Sequence, residues 1–274
     1  MARPERCRHF MRAPSIDPVS AAYLAAVEAQ GGTVTPAIRT AIRGLVNNIT
    51  NTYPTLLAKL FAIYPYTGGV AGSHSLNLLD PRDNDAAYRI SWTGGVTHDA
   101  NGITGNGSTG FGDTHFNAST TGFTNVSGGL SCYNRNNTGS GYDMGSSDSA
   151  VSKCTDLVSR YSGGTTMFGF HSSAGGAASA SNTDSRGLHL MQRSGGNIQI
   201  YRNGTSLANS AVSAASGLAN RSIYILCENR GGVAIEFTNH NHALGAIHGT
   251  LTVQENADWY TAVQAFQTAL SRNV

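Results

Sequence analysis

The chain has 274 residues, only 12% of them charged against 33 glycines, and a net charge of +2 that supplies no field to gather nucleic acid or an anionic membrane. So few charges and so many turn-formers point to a β-structure with tight turns and a surface solubilised by hydroxyls and amides, in a chain long enough to bury a full core. No apolar run approaches the roughly 18 residues of a membrane helix, and Met1–Ala13 lacks the apolar segment of a signal peptide, so a soluble chain not exported by that route is expected.

Residues 1–17 read as a basic extended arm. Arg3, Arg6, Arg8 and Arg12 stand against Glu5, and Pro4, Pro14 and Pro18 prevent a continuous helix. Such an arm cannot build its own core and is expected to dock on a partner surface. Residues 18–66 form a helical region. Asp17-Pro18 is a cap followed by an N1 proline, and Val19, Ala22, Tyr23, Ala26 and Val27 make an apolar stripe that ends at Gly31-Gly32. Thr35-Pro36 repeats the signal, with Ile38, Ile42, Leu45 and Ile49 as its stripe. A third helix is expected from Pro54 through Leu56, Leu57, Leu60, Phe61 and Tyr64 to Pro65.

Residues 67–274 read as β-structure closed by a helix, with Tyr66–Asp85 as the connection. Strand patterns lie at Tyr88–Trp92, Gly110–Phe116, Gly129–Arg135, Asp156–Tyr161, Thr166–His171 and Gly187–Arg193, and the long intervening segments Asn134–Ser149 and Ser172–Ser185 are expected as polar loops. In Asn197–Asn203, Ile198 and Ile200 alternate with Gln199 and Tyr201, and Asn203-Gly204 suits a type I′ turn. Ser222–Glu228 places Ile223, Ile225 and Cys227 on one face, with Tyr224 and Leu226 on the other. Val233–Thr238 and Ala243–His248 follow, and Thr252-Val253-Gln254-Glu255 is a capping box for a helix striped by Trp259, Val263, Phe266 and Leu270.

The runs IQIYRNGTSL, IYILCENRGGVAIEF and ALGAIHGTLTVQENADWYTAVQAFQTAL, preceded by GITGNGSTGF as an opening strand, resemble the concanavalin A-like (laminin-G-like) jelly roll of tailed-bacteriophage structural proteins over roughly Tyr88 to Val274. The resemblance implies a mainly β, concanavalin A-like jelly-roll sandwich with a short N-terminal helical region and a C-terminal helix. It also implies a virion component assembled in the host cytoplasm, with other virion subunits as partners and a homotrimer as its assembly.

The motifs for chemistry are sparse. Gly105-x-Gly107-x-x-Gly110 matches a dinucleotide pattern but precedes a strand rather than opening a helix. No Glu-x-Asp-x-x-Glu run is present, and Glu228 and Glu236 are expected as solvent-facing strand carboxylates on neighbouring strands. Asp80, Asp83 and Asp85 could supply at most a loose oxygen site, and the His240-x-His242 pair with His248 reads as an ordinary polar loop, so no cofactor and no metal are expected. The four cysteines Cys7, Cys132, Cys154 and Cys227 are too scattered for a metal knuckle and read as reduced thiols. Seven Asn-x-Ser/Thr sequons are compositional in a chain without a secretion signal.

The candidate ligand-binding group is Tyr133, Asn134, Arg135, Asn136, Tyr142 and Asp143, whose rings and amides are of the kind a sugar needs; Arg135 beside two tyrosines could instead anchor a protein. The expectation is a non-enzymatic fibre, spike or decoration subunit that docks by its N-terminus and presents a β-sandwich to a host-surface glycan, with no membrane and no nucleic acid as partner. The alternatives are a polysaccharide-degrading tailspike-type enzyme and a capsid-stabilising decoration protein without receptor binding.

Overall fold

The computed structural model describes residues 17–139, 141–161, 164–172 and 176–274, so Arg3, Arg6, Arg8 and Arg12, the expected docking residues, lie outside the described residues. The first helices start where local chemistry dictates. Asp17 accepts from the backbone N–H groups of Val19 and Ser20 to cap α1 (Pro18–Ala29), and Thr35 accepts from Ile38 N to cap α2 (Pro36–Asn47). A π-helical turn, Asn48–Thr52, leads into a short α3 (Pro54–Leu57).

The expected third helix does not continue. Residues from Leu60 form strand β1 (Leu60–Tyr64), which pairs with a strand near the far end of the sequence. Its apolar spacing misleads because both faces are covered: Leu60 and Ile63 enter one core while Ala62 and Tyr64 enter another. After α4 (Ala71–His74) and a 3₁₀ turn at Asp85–Ala87 come β2 (Ser91–Thr93), β3 (Thr97–Asp99), β4 (Gly102–Thr104), β5 (Phe111–Asn117), β6 (Ser127–Asn134), β7 (Met144–Ser147), β8 (Cys154–Val158), β9 (Thr166–Ser172) and β10 (Ala177–Ser181). Strands β7 and β10 fall inside the two segments expected as loops. Their sequences, Met-Gly-Ser-Ser and Ala-Ala-Ser-Ala-Ser, lack β-branched residues and take strand form from their neighbours.

The chain closes with β11 (Gly187–Ser194), β12 (Asn197–Arg202), β13 (Thr205–Ala211), β14 (Ser222–Ile225), β15 (Glu228–Arg230), β16 (Val233–Ile235), β17 (Asn241–His248) and α5 (Val253–Ala269). Asn203 (φ 50°) and Gly204 (φ 74°) make the left-handed turn between β12 and β13. The Ser222–Glu228 strand is interrupted at Leu226 (φ 68°), which turns that side chain inward beside Ile223 and Ile225, so the expected alternation fails beyond Ile225.

Two sheets result. The first runs β13-β12-β11-β6-β17-β4-β3, with β1 beside β17; the second runs β10-β9-β8-β7-β14-β5-β2, with the β15–β16 hairpin against β7. Pairing is antiparallel throughout the described strands except β15 on β7. The protein is thus a mainly β sandwich with short N-terminal helices and a C-terminal helix. One core, containing Phe116, Leu130, Met144, Leu157, Met191, Ile200 and Ile225, fills the space between the sheets. A second lies on the outer side of the first sheet, where Tyr23, Ile42 and Leu45 of α1 and α2 meet Trp259, Val263 and Phe266 of α5 over Tyr133, Leu190 and Leu244. Each such fully buried side chain contributes about 1.5–3 kcal/mol. The capping box of α5 is complete, Glu255 N donating to Thr252 Oγ1 at 3.2 Å and Thr252 N to Glu255 Oε2 at 2.7 Å. The helices therefore cover one face of the sandwich and leave the outer face of the second sheet open.

Candidate functional site: an aromatic face on the open sheet

Alternation along β9 sets the character of that open face. Met167 and Gly169 point into the core, where a Cβ on Gly169 would meet Ile200 and Met191, so Phe168 and Phe170 point outward. Tyr142, just before β7, lies parallel to Phe170 with centroids 6.4 Å apart and 10° between planes; Phe168 stacks on Phe170 at 6.0 Å. Tyr161 meets Tyr142 and Phe168 edge-on at 6.3 and 6.1 Å. Tyr142, Phe168 and Phe170 are half-buried and Tyr161 is 37% exposed, so the four rings make an accessible platform.

Beneath the platform the register places Asp156 opposite Phe170 on one side and Gly145 on the other. Gly145 is required there, since a Cβ would sit 2.1 Å from Asp156 Oδ1. Asp156 is 2% exposed and its Oδ1 has no hydrogen-bond partner among the described residues; burial first, and the Glu228 carboxylate second, push its carboxyl well above the usual range, so it is held protonated. Glu228 is not solvent-facing, as its strand position suggested. It is 1% exposed, accepts from Ser147 Oγ, and is forked by Arg230 through Nη2 at 2.7 Å and Nε at 3.3 Å. Glu236 is half-buried, with Oε2 3.5 Å from the Tyr161 hydroxyl. The floor is thus aromatic and the edge carries Arg230 and Glu236.

The six residues singled out from the sequence do not form one surface. Tyr142 belongs to the platform. Tyr133 points the other way, into the helical core, with its hydroxyl bonded to Gln264 Oε1 at 3.2 Å and Val274 N at 3.0 Å. Arg135 binds the Arg272 carbonyl through Nε at 3.0 Å, and Asn136 bridges Asn239 O and Asn241 N. Asn134 and Asp143 are fully buried. The expectation that Tyr133, Asn134 and Asp143 present their groups to a surface sugar is therefore corrected, because all three are buried within the protein. Asp80, Asp83 and Asp85 are likewise paired, with Arg82 or Arg89, which leaves no shared oxygen cluster there. Phe168, Phe170 and Tyr161 were missed as a site. The Phe-x-Phe alternation in Thr166–His171 was the available signal, but it does not say which side of the strand is open.

Asp143 centres a buried knot at one end of the sandwich. It accepts from Asn134 Nδ2 at 3.0 Å and Ser159 N at 2.6 Å, and faces His240 Nδ1 at 2.7 Å and His242 Nε2 at 3.0 Å. His240 Nε2 also faces a carbonyl, Thr138 O, at 2.8 Å. With acceptors at both nitrogens, His240 carries both ring protons, and the Asp143 charge raises its pKa against the opposing effect of burial. His240 and His242 are thus core residues rather than an exposed polar loop.

No family model matches this sequence, and no curated protein matches it. Among solved structures the chain is similar to domain 4 of AbnA, a GH43 extracellular arabinanase from Geobacillus stearothermophilus, in complex with arabinotriose, at 14% identity and TM-score 0.49, covering 73% of this chain and 97% of that one. It is also similar to the binding domain of Botulinum neurotoxin DC in complex with rat synaptotagmin II, at 11% identity and TM-score 0.42, covering 65% of this chain and 48% of that one. A third similarity is to the NanB sialidase from Streptococcus pneumoniae, at 10% identity and TM-score 0.40, covering 52% of this chain and 25% of that one.

Proposed function

We propose that the protein binds carbohydrate on the open face of its second sheet, as a non-enzymatic surface component of a tailed-bacteriophage particle. The observation that carries the binding reading is the platform of Tyr142, Tyr161, Phe168 and Phe170, accessible rings with a charged edge at Arg230 and Glu236. Flat apolar rings stack on the C–H faces of sugars, while guanidinium and carboxylate groups bond hydroxyls. Binding rather than hydrolysis is favoured because Glu228 has both oxygens engaged by Ser147 and Arg230, and Asp156 is buried under the rings. Neither carboxyl faces a place where a glycosidic oxygen could sit.

The test is titration of host capsule or lipopolysaccharide oligosaccharides into wild-type protein and the Tyr142→Ala/Phe170→Ala double variant. Each ring contributes about 0.5–1.5 kcal/mol, so affinity is expected to fall roughly 10- to 100-fold, with no reducing ends released by either protein. Tyr133→Ala should leave affinity unchanged. Binding that ignores the double variant, or release of reducing ends, defeats this reading.

The particle assignment is supported by the sequence resemblance and by the basic arm. Guanidinium forks bond carboxylates two at a time, which suits an acidic groove on another virion subunit. A chain lacking residues 1–17 is expected to fold but to be lost from particles; normal copy number in purified particles would place the attachment elsewhere.

A further inference from the structure

We propose that Cys132, His242 and Asp143 form a binding site for one divalent transition-metal ion, zinc by its donor set, which clips the two sheets together at one end of the sandwich. One ligand atom from each of the three lies within 4.8 Å of the other two. In a tetrahedral zinc shell the donors stand about 3.5 Å apart, so the cluster closes by roughly 1 Å on binding. The fold brings them from separate places: Cys132 on the inward side of β6, His242 at the start of β17, and Asp143 from the segment entering β7 in the other sheet.

Independent observations point to a missing partner. His242 Nε2 stands 3.0 Å from Asp143 Oδ1, close to the spacing of two donors on one zinc ion. Asn134 Oδ1, on the residue that pairs with His242 across the ladder, is buried and without a hydrogen-bond partner among the described residues, and offers a fourth donor. A cation there gives that buried acceptor the partner it lacks. The mixture of one sulfur, one nitrogen and oxygen donors suits zinc and disfavours calcium or magnesium. His240, bonded to Asp143 and to the Thr138 carbonyl, holds the carboxylate in place from behind. Because every donor is buried, the ion enters as the chain folds.

The test uses the full chain. Protein expressed in zinc-supplemented medium is expected to carry one zinc per chain by elemental analysis. Unfolded with a chelator and refolded with Co²⁺, it is expected to show a thiolate-to-cobalt charge-transfer band and tetrahedral ligand-field bands. Cys132→Ala should abolish the charge-transfer band and lower cobalt affinity at least about a hundredfold, whereas Cys7→Ala, Cys154→Ala and Cys227→Ala keep both. If Cys132→Ala does not fold, zinc-edge X-ray absorption of the wild type decides: one sulfur scatterer supports the site and none overturns it. Absence of stoichiometric metal with no cobalt band on refolding, or a band that survives Cys132→Ala, overturns it as well.

Discussion

Acidification from pH 6.5 toward 4 is expected to unfold the protein cooperatively, because His74, His171 and His248 are among the buried histidines built into the fold as neutral rings. His74 accepts the Gly69 N–H at Nε2 and meets His98 at Nδ1, so a proton on Nε2 would confront a donor. His171 meets the Thr124 carbonyl through Nε2 and the Thr155 hydroxyl through Nδ1, and His248 lies against Gly129 with Nδ1 bonded to Gly249 O. Burial is the first cause in each case and lowers the pKa to about 3 for His74 and about 4 for His171 and His248; Arg272 beside His74 and Arg193 beside His171 act in the same direction. Between those values and 6.5 the unfolded chain binds more protons than the folded one, so stability rises with pH across this window and is lost as pH falls. Each ring removes about 3 kcal/mol by pH 4, and three together approach the whole stability of an ordinary domain, about 5–15 kcal/mol. Circular dichroism against pH should place the midpoint near about pH 5. A thermal midpoint unchanged from pH 7 to 4 would sink this expectation.

What the sequence disclosed follows from how local the chemistry is. The Asn203-Gly204 turn and the Thr252/Glu255 capping box were legible because each is completed within a few residues. Strand β1 was misread as helix because it is sandwiched between two cores, and a strand buried on both faces shows no period of two. Strands β7 and β10 were hidden by composition, since Gly145 stands where room for Asp156 is needed rather than where a turn is. The same limit applies to sites. Asn134 and Asp143 looked like loop polars; that they bond one another, Ser159 and two histidines about a hundred residues away depends on long-range pairing that no local pattern encodes. Tyr142 was legible as an aromatic in a polar segment, but its companions Phe168 and Phe170 needed the strand register to be placed beside it.

Arg272→Ala is expected to cost about 2–6 kcal/mol. Its side chain is 2% exposed. Nε donates to Gln267 Oε1 at 3.0 Å, Nη1 to the Tyr66 carbonyl at 3.0 Å, and Nη2 to the Pro65 and Ala243 carbonyls at 3.1 and 3.0 Å, with the guanidinium 5.3 Å from the Phe266 ring centroid. One planar fork thus ties the end of α5 to the segment after β1 and to β17. Among the described residues no carboxylate bonds it, and burial, followed by the nearby Arg135 charge, lowers its pKa to about 9, so a permanent cation is held here by backbone dipoles. Truncation orphans the buried Pro65 and Tyr66 carbonyls at about 1–3 kcal/mol each, while the Ala243 carbonyl keeps Gln267 Nε2 at 3.2 Å. Tyr66 (φ 45°), a left-handed residue held by its surroundings, is freed to relax, which offsets part of that cost. Arg272→Met separates packing from hydrogen bonding: it keeps an apolar stem near Phe266 and should still lose most of the stability, because the carbonyls remain unpaired. Urea denaturation of the three proteins measures this. A loss below about 1 kcal/mol in Arg272→Met would mean that water takes the place of the guanidinium, and that the apolar contacts of Trp259, Val263 and Phe266 alone hold the closing helix.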